Sequence, residues 1–258
     1  MATAPNSGLP LFYNELQPLS SNAHGGWKAR RMEAAPFLAN THAVPLTVEE
    51  FALAQRHFPI VFSVGDDPVP LALMGLNEGV NVFTDEEGKL TSEVYVPAYV
   101  RRYPFMLARL RPDADELSLC FDPTADAVGE FEEGEALFED SQPSETTKQI
   151  LGFCENFEQA GMQTGAFMKE LADHKLLIDG EVAIQPEGAA QPFVYRGFQM
   201  ISEDAVKNLR GDVARKMIQS GMLPLIYAHL FSLSLVRDVF ARQMQLGKIP
   251  APALQPVS

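Results

Sequence analysis

Cysteine is almost absent: Cys120 and Cys154 are the only two in 258 residues. That excludes a disulfide framework and a cysteine-based zinc site, and leaves buried, reduced thiols as the expectation. The sequence also lacks a G-x-x-x-x-G-K-[ST] phosphate loop, a G-x-G-x-x-G turn, an H-E-x-x-H helix and a G-x-S-x-G elbow. Nucleotide-binding, zinc-peptidase and serine-hydrolase chemistries of those types therefore have no foothold. None of the five histidines is followed two residues later by Asp or Glu, which removes the histidine–carboxylate pattern of many non-haem iron enzymes. No catalytic residue, metal ligand or cofactor is predicted. Long apolar runs are missing too. The longest, residues 222 to 236, has 15 residues, short of the about 20 that cross a bilayer, and reads as a core helix. The first residues lack a basic segment followed by an apolar core, so the expectation is a cytoplasmic protein without a secretion signal or membrane span.

Positive charge is missing from one long stretch. Between Pro112 and Thr147 there is no Lys, Arg or His, while twelve Asp and Glu fall there; the formal charge of the whole chain is −14, so the remainder nets only −2. Nucleic acid and anionic lipid need a positive footprint, so the acidic balance argues against both as bulk partners and leaves only a local basic patch open.

What the sequence does contain is enough apolar residue to bury a core: 46% of the chain is hydrophobic and 21% charged. Residues 1–45 mix Pro, Gly, Asn and aromatics without periodicity and read as an extended arm pinned by Trp27. Short β-rich runs at "PIVFSV", "VPLALMGL", "VNVF" and "ELSLCFD", separated by turn residues, predict an antiparallel meander. The acidic segment 123–144 reads as a linker. Ile150, Cys154, Phe157, Gly161, Thr164, Met168 and Leu171 then recur at helical spacing behind Ser144 as N-cap, predicting a helix of roughly 25 residues. "KLLIDGEVAIQ" reads as a hairpin turning at Asp179-Gly180, "PFVYRGFQMIS" as a strand, and Ser202 as the cap of a short helix. The last helix starts near Leu223 with an apolar stripe of Leu223, Ile226, Leu230, Leu233, Val236 and Phe240. The fold class is α+β: a mainly antiparallel sheet, about 46 to 122 with 175 to 201, packed on the long central helix and the C-terminal helices. Residues 46–245 form the body, with one unit or two left open at 123–144, and 246–258 are a Pro-rich tail.

The densest polar feature is "VPAYVRRYPFMLARLR" at 96–111. Guanidinium forks hold carboxylate or phosphate and aromatic faces support cations, so Tyr99, Arg101, Arg102, Tyr103 and Arg109 are candidate ligand- or partner-binding residues. The simpler reading is that the same arginines neutralise the acidic stretch that follows or bond backbone carbonyls. His229, in an apolar helix beside Tyr227 and before Ser232, is a further candidate, set against the role of a hydrogen-bonded core histidine.

Four segments together, "ALMGLNEGVNVFTDEEGKL", "VPAYVRRYPFMLA", "FVYRGFQMISEDAVKNL" and "SGMLPLIYAHLFSLSLV", resemble the SapC family of bacterial proteins from about residue 10 to 245. The name is shared with a transporter permease, whose several membrane spans have no counterpart here. The resemblance implies an accessory role beside flavin-dependent, tryptophan-halogenase-like enzymes and outer-membrane receptors, and it supplies no catalytic residues. The reading is thus an intracellular accessory or binding protein, more an adaptor than an enzyme. Two alternatives remain. One is an enzyme, an oxygenase or hydrolase on peptides or amino acids, using Tyr103, Arg102 and His229. The other is a homo-oligomer seamed by the small-residue face of the 145–171 helix.

Overall fold

The apolar segments of the chain sort into two cores. In the computed structural model, which describes residues 8–110, 116–186 and 191–248, one unit comprises the residues up to Ala35 with Ala98–Ala160, and the other Pro36–Pro97 with the residues from Gly161.

In the first unit Gln17–Pro18, Ser118–Phe121 and Phe105–Ala108 form a three-stranded antiparallel sheet with Ser118–Phe121 in the middle. Alternation along Phe105–Ala108 turns Phe105 and Leu107 inward, where they meet Phe121, Val128, Leu137 and Cys154. Trp27 packs edge-on against Phe121 and His24, at 5.7 and 4.6 Å between centroids, and so anchors the N-terminal segment. The acidic stretch read as a linker is folded instead. Val128–Gly129 and Glu135–Ala136 flank Lys28–Ala29 as a second small sheet, and Leu137 is fully buried while its acidic neighbours face water.

The helix Glu145–Asp173 begins where the cap predicts: Thr147 N–H donates to Ser144 Oγ at 3.2 Å. Gly161 and Gly165 do not break it, because neither adopts a left-handed conformation.

The second unit is built on a five-stranded antiparallel sheet in the order Leu177–Asp179, Gln199–Ile201, Ile60–Phe62, Pro70–Leu73, Ala43–Pro45. The predicted single sheet through 122 is thereby corrected: Phe105–Ala108 and Ser118–Phe121 pair with each other and with Gln17–Pro18, not with the 60–73 strands. "VNVF" is not a strand either. The buried Asn81 side chain accepts from Phe83 N–H at 2.8 Å and donates to Leu38 O at 2.9 Å, taking backbone groups a ladder would need.

The hairpin does not turn at Asp179-Gly180. Leu177–Asp179 pairs with Gln199–Ile201, and beyond Gly180 the strand Val182–Ile184 pairs with Phe193–Tyr195. Two residues on one side, 180 and 181, face three on the other, 196 to 198: a bulge rather than a turn. Gly180 fits because a Cβ there would lie 2.1 Å from the Phe198 ring, and Gly197 supplies φ +91°.

The C-terminal apolar segment runs as Met222–Ser232, a 3₁₀ turn Leu233–Leu235, and Val236–Gln245. Length and composition alone would let Met222–Gln245 cross a membrane. The face carrying Ile226, His229, Ser232, Val236, Val239 and Gln243 is buried within the protein.

Candidate functional site

The arginine-rich strip lies in the first unit. A single helical turn, Ala98–Arg101, ends where Arg102 N–H donates to Ala98 O, and Phe105 N–H donates to Arg102 O as the strand begins. This tight reversal turns the Arg102 side chain inward, leaving it 6% exposed. Its guanidinium carbon sits 4.4 Å from the centroid of Tyr99 and 4.2 Å from that of Phe157, with Tyr13 at 5.8 Å. The ring quadrupoles support a cation there. Its carboxylate partner is weak: Glu158 Oε1 stands 3.7 Å away and is itself half exposed. The Arg102 Nε–H is buried with no hydrogen-bond partner. A buried cation with an unmet donor costs free energy unless something else completes it.

Beside this box an open pocket of about 220 Å³ is lined by Arg101, Arg102, Phe105, Gln149, Phe153 and Cys154. Arg101 is exposed, its guanidinium 5.2 Å over the Phe153 ring. Burial pushes the Cys154 thiol up to about 11, although Arg102 opposes the shift, so at neutral pH the pocket holds a thiol and not a thiolate nucleophile.

The rest of the strip separates. Tyr99 is buried and its hydroxyl donates to Leu11 O at 3.1 Å; burial raises its pKa more than Arg102 lowers it. Tyr103 is not available to a ligand: it is buried edge-on to Tyr13 at 5.2 Å, and burial with the Asp122 carboxylate pushes its hydroxyl up to about 12. Asp122, fully buried, accepts from Asn14 N–H, Thr124 N–H and the Thr124 hydroxyl, and the Tyr103 hydroxyl is hydrogen-bonded to it as well. Arg109 is exposed just past the strand and does not line the pocket. Arg111 lies outside the described residues.

His229 belongs to the second unit and is sealed. No part of it is exposed; Nδ1 lies 2.8 Å from Ile60 O and Nε2 accepts from Ile201 N–H at 3.0 Å. The ring is therefore the Nδ1–H tautomer. It bridges Ile60–Phe62 and Gln199–Ile201, two strands that share a single register pair, Gln199 with Phe62. Ser232 adds its hydroxyl to Ile60 N–H at 2.9 Å. Burial drives the His229 pKa down to about 4, against the Ile60 hydrogen bond, and leaves the imidazole neutral. The core-histidine reading stands, and a ligand-binding or basic role for His229 is corrected.

Sequence reasoning missed a larger cavity of about 380 Å³ in the second unit. Its floor is one face of the sheet. The register pairs Val61 with Leu71 and Ala43 with Leu73, so these four point the same way, while Ile60, Phe62, Ala72 and Val44 fill the opposite face. The bulged ribbon supplies Val182, Val194, Tyr195 and Phe198, and the turn after Leu73 supplies Asn77 and Glu78. That turn is held by Gln243, fully buried, whose Oε1 accepts from Leu76 N–H at 2.5 Å and whose Nε2 donates to Asn77 Oδ1 at 3.0 Å. Gly75 is obligatory in it, since a Cβ would lie 1.8 Å from Val80 O. The Tyr195 hydroxyl is buried without a partner. Among the described residues no group of three or more His, Cys, Asp or Glu is placed to hold a metal ion.

The features together define an α+β protein with a buried-arginine pocket in one unit and a sheet-floored cavity in the other. The SapC family matches residues 19–239, nearly the whole chain, and the protein belongs to that family. Neither a curated protein nor a solved structure matches it.

Proposed function

We propose that the protein is a non-catalytic accessory protein, acting inside the cell, that recognises a partner through a single carboxylate seated at the Arg101–Arg102 pocket. The observation that carries this reading is the Arg102 guanidinium: braced between Tyr99 and Phe157, nearly sealed, yet short of a partner for Nε–H. A carboxylate accepts two parallel hydrogen bonds from such a fork. Arg101 and Gln149, which also line the pocket, are the further donors. A volume of about 220 Å³ suits an acidic side chain or a chain terminus rather than a whole cofactor. The acidic stretch folded into the same unit selects against polyanions, which feel its long-range field, and leaves one desolvated carboxylate as the guest. The family's association with halogenase-like flavin enzymes and outer-membrane receptor systems names the partner classes to try first.

The test is affinity capture from cell extract with the wild-type chain, Arg101→Ala and Arg102→Lys, each first shown to melt like wild type. The reading expects a partner recovered with wild type and lost or strongly reduced with both variants. Equal recovery with all three would sink it.

A further inference from the structure

Beyond the arginine pocket, and independent of it, stands the cavity over the sheet. A two-faced antiparallel sheet normally shows water a polar face. This one shows Leu71 and Leu73 to a cavity that Phe198 also lines, and at about 380 Å³ the space falls in the size range of small-molecule sites and is too small for a helix.

The polar groups on the lining decide what kind of molecule fits. The Tyr195 hydroxyl is buried and has no hydrogen-bond partner. Among the described residues neither the His42 ring nor the Glu78 carboxylate makes a hydrogen bond or ion pair; their one mutual influence is electrostatic. Arg196, the one cation on the lining, is already neutralised by Glu181, 2.6 Å away. A carboxylate, a neutral imidazole and a phenol oxygen are three acceptors, and a primary ammonium has three donors.

We propose that this cavity binds a small amphipathic amine, with its apolar body on the Leu71–Leu73 floor under Phe198 and its ammonium shared by Glu78, His42 and Tyr195. Burial lowers the His42 pKa, with Glu78 opposing, which keeps the ring an acceptor at neutral pH. The other ionisable groups on the lining are Glu78, Arg196 with its Glu181 partner, and Tyr195. Acidification that protonates His42 replaces an acceptor with a like charge and expels the amine.

Calorimetry or methyl NMR shifts of the full chain with n-hexylamine, n-hexanol and hexanoate as probes test this. The amine binds about five-fold or more tightly than the alcohol, as one part-exposed charge pair provides, and hexanoate binds weakest. Glu78→Gln reduces the amine to the level of the alcohol. Amine affinity drops as pH falls below the ordinary histidine value of about 6.5 and His42 takes up a proton, while that of the alcohol holds. Leu73→Trp fills the floor and removes the amine and the alcohol; Val194→Trp, at a 43% exposed site on the ribbon, does the same if Leu73→Trp fails to fold. Arg102→Lys leaves the amine and the alcohol unchanged, and hexanoate is compared in that variant, where the arginine pocket has lost its fork, which separates this site from the arginine pocket. Hexanoate binding as tightly as hexylamine in Arg102→Lys, amine binding that survives both tryptophan variants, or no binding of the amine overturns the proposal.

Discussion

Two buried nitrogen side chains, His229 and Arg102, meet opposite fates in the two units. His229 gives both ring nitrogens to backbone, to Ile60 O and Ile201 N–H, and sits neutral with its pKa near 4. Arg102 keeps its charge between aromatic faces, with a 3.7 Å ion pair and one N–H unused. The first is closed and belongs to the architecture. The second is incomplete and lies on a pocket. Burial alone therefore says little about role; whether the hydrogen-bonding capacity is used up says much more.

The largest effect that sharpens this contrast is at His229. Replacing it with Ala leaves a cavity and strands two buried backbone groups, so denaturant unfolding of the full chain should show a loss of about 3–5 kcal/mol. A loss below about 1 kcal/mol would break the comparison. Next is the pH response. A folded pKa of about 4 below the ordinary value of 6.5 means the unfolded state binds more protons between the two. The stability from His229 is thus full above pH 6.5 and declines as pH falls toward 4, by about 3 kcal/mol in total. His229→Gln should flatten that part of the stability-versus-pH curve relative to wild type, and parallel curves would contradict it.

Arg102 should behave in reverse. Arg102→Met removes an unmet buried donor and a charge, and its melting should lie within about 1 kcal/mol of wild type in either direction while partner capture is lost. The smallest effect is Arg101→Ala, an exposed change worth at most about 0.5 kcal/mol in stability but expected to weaken a carboxylate partner in a titration. If Arg102→Met unfolds the chain, Arg102 is architecture after all and the contrast with His229 disappears.

How far the sequence reached can be judged at particular residues. Ser144 and Ser202 were legible as caps because a cap needs only its neighbours: Ser202 Oγ accepts from Ala205 N–H at 3.2 Å, and Ser144 serves Thr147 likewise. The long helix was legible from its period, as was the α+β class from the alternation of short β-rich runs and helical segments. The C-terminal stripe was only half right. Ile226 and Val236 are buried as expected, but the inward face carries His229, Ser232 and Gln243 where an apolarity-based reading put Leu230 and Leu233. Polar residues enter a core when backbone groups there lack partners, and that need arises from strand packing that no local pattern records.

The strip at 96–111 shows the same boundary. Its composition marked it, yet Tyr103 and Arg102 diverge because Asp122, Thr124 and Phe157, distant in sequence, claim one and frame the other. The cavity left no signal. His42, Glu78 and Tyr195 come to line one cavity only once the sheet register and the bulged ribbon are fixed. Register is set by pairing across more than a hundred residues, as Gln199 with Phe62 illustrates.

The mismatch of three residues against two at 196–198 and 180–181 has one more consequence. Deleting a single residue from the longer side would let the ribbon zip without interruption and send its far half to the wrong pleat surface, swapping which side chains look toward Leu71 and Leu73. Chain length at that point, more than the identity of any side chain, is what relatives must keep if they are to enclose the same space.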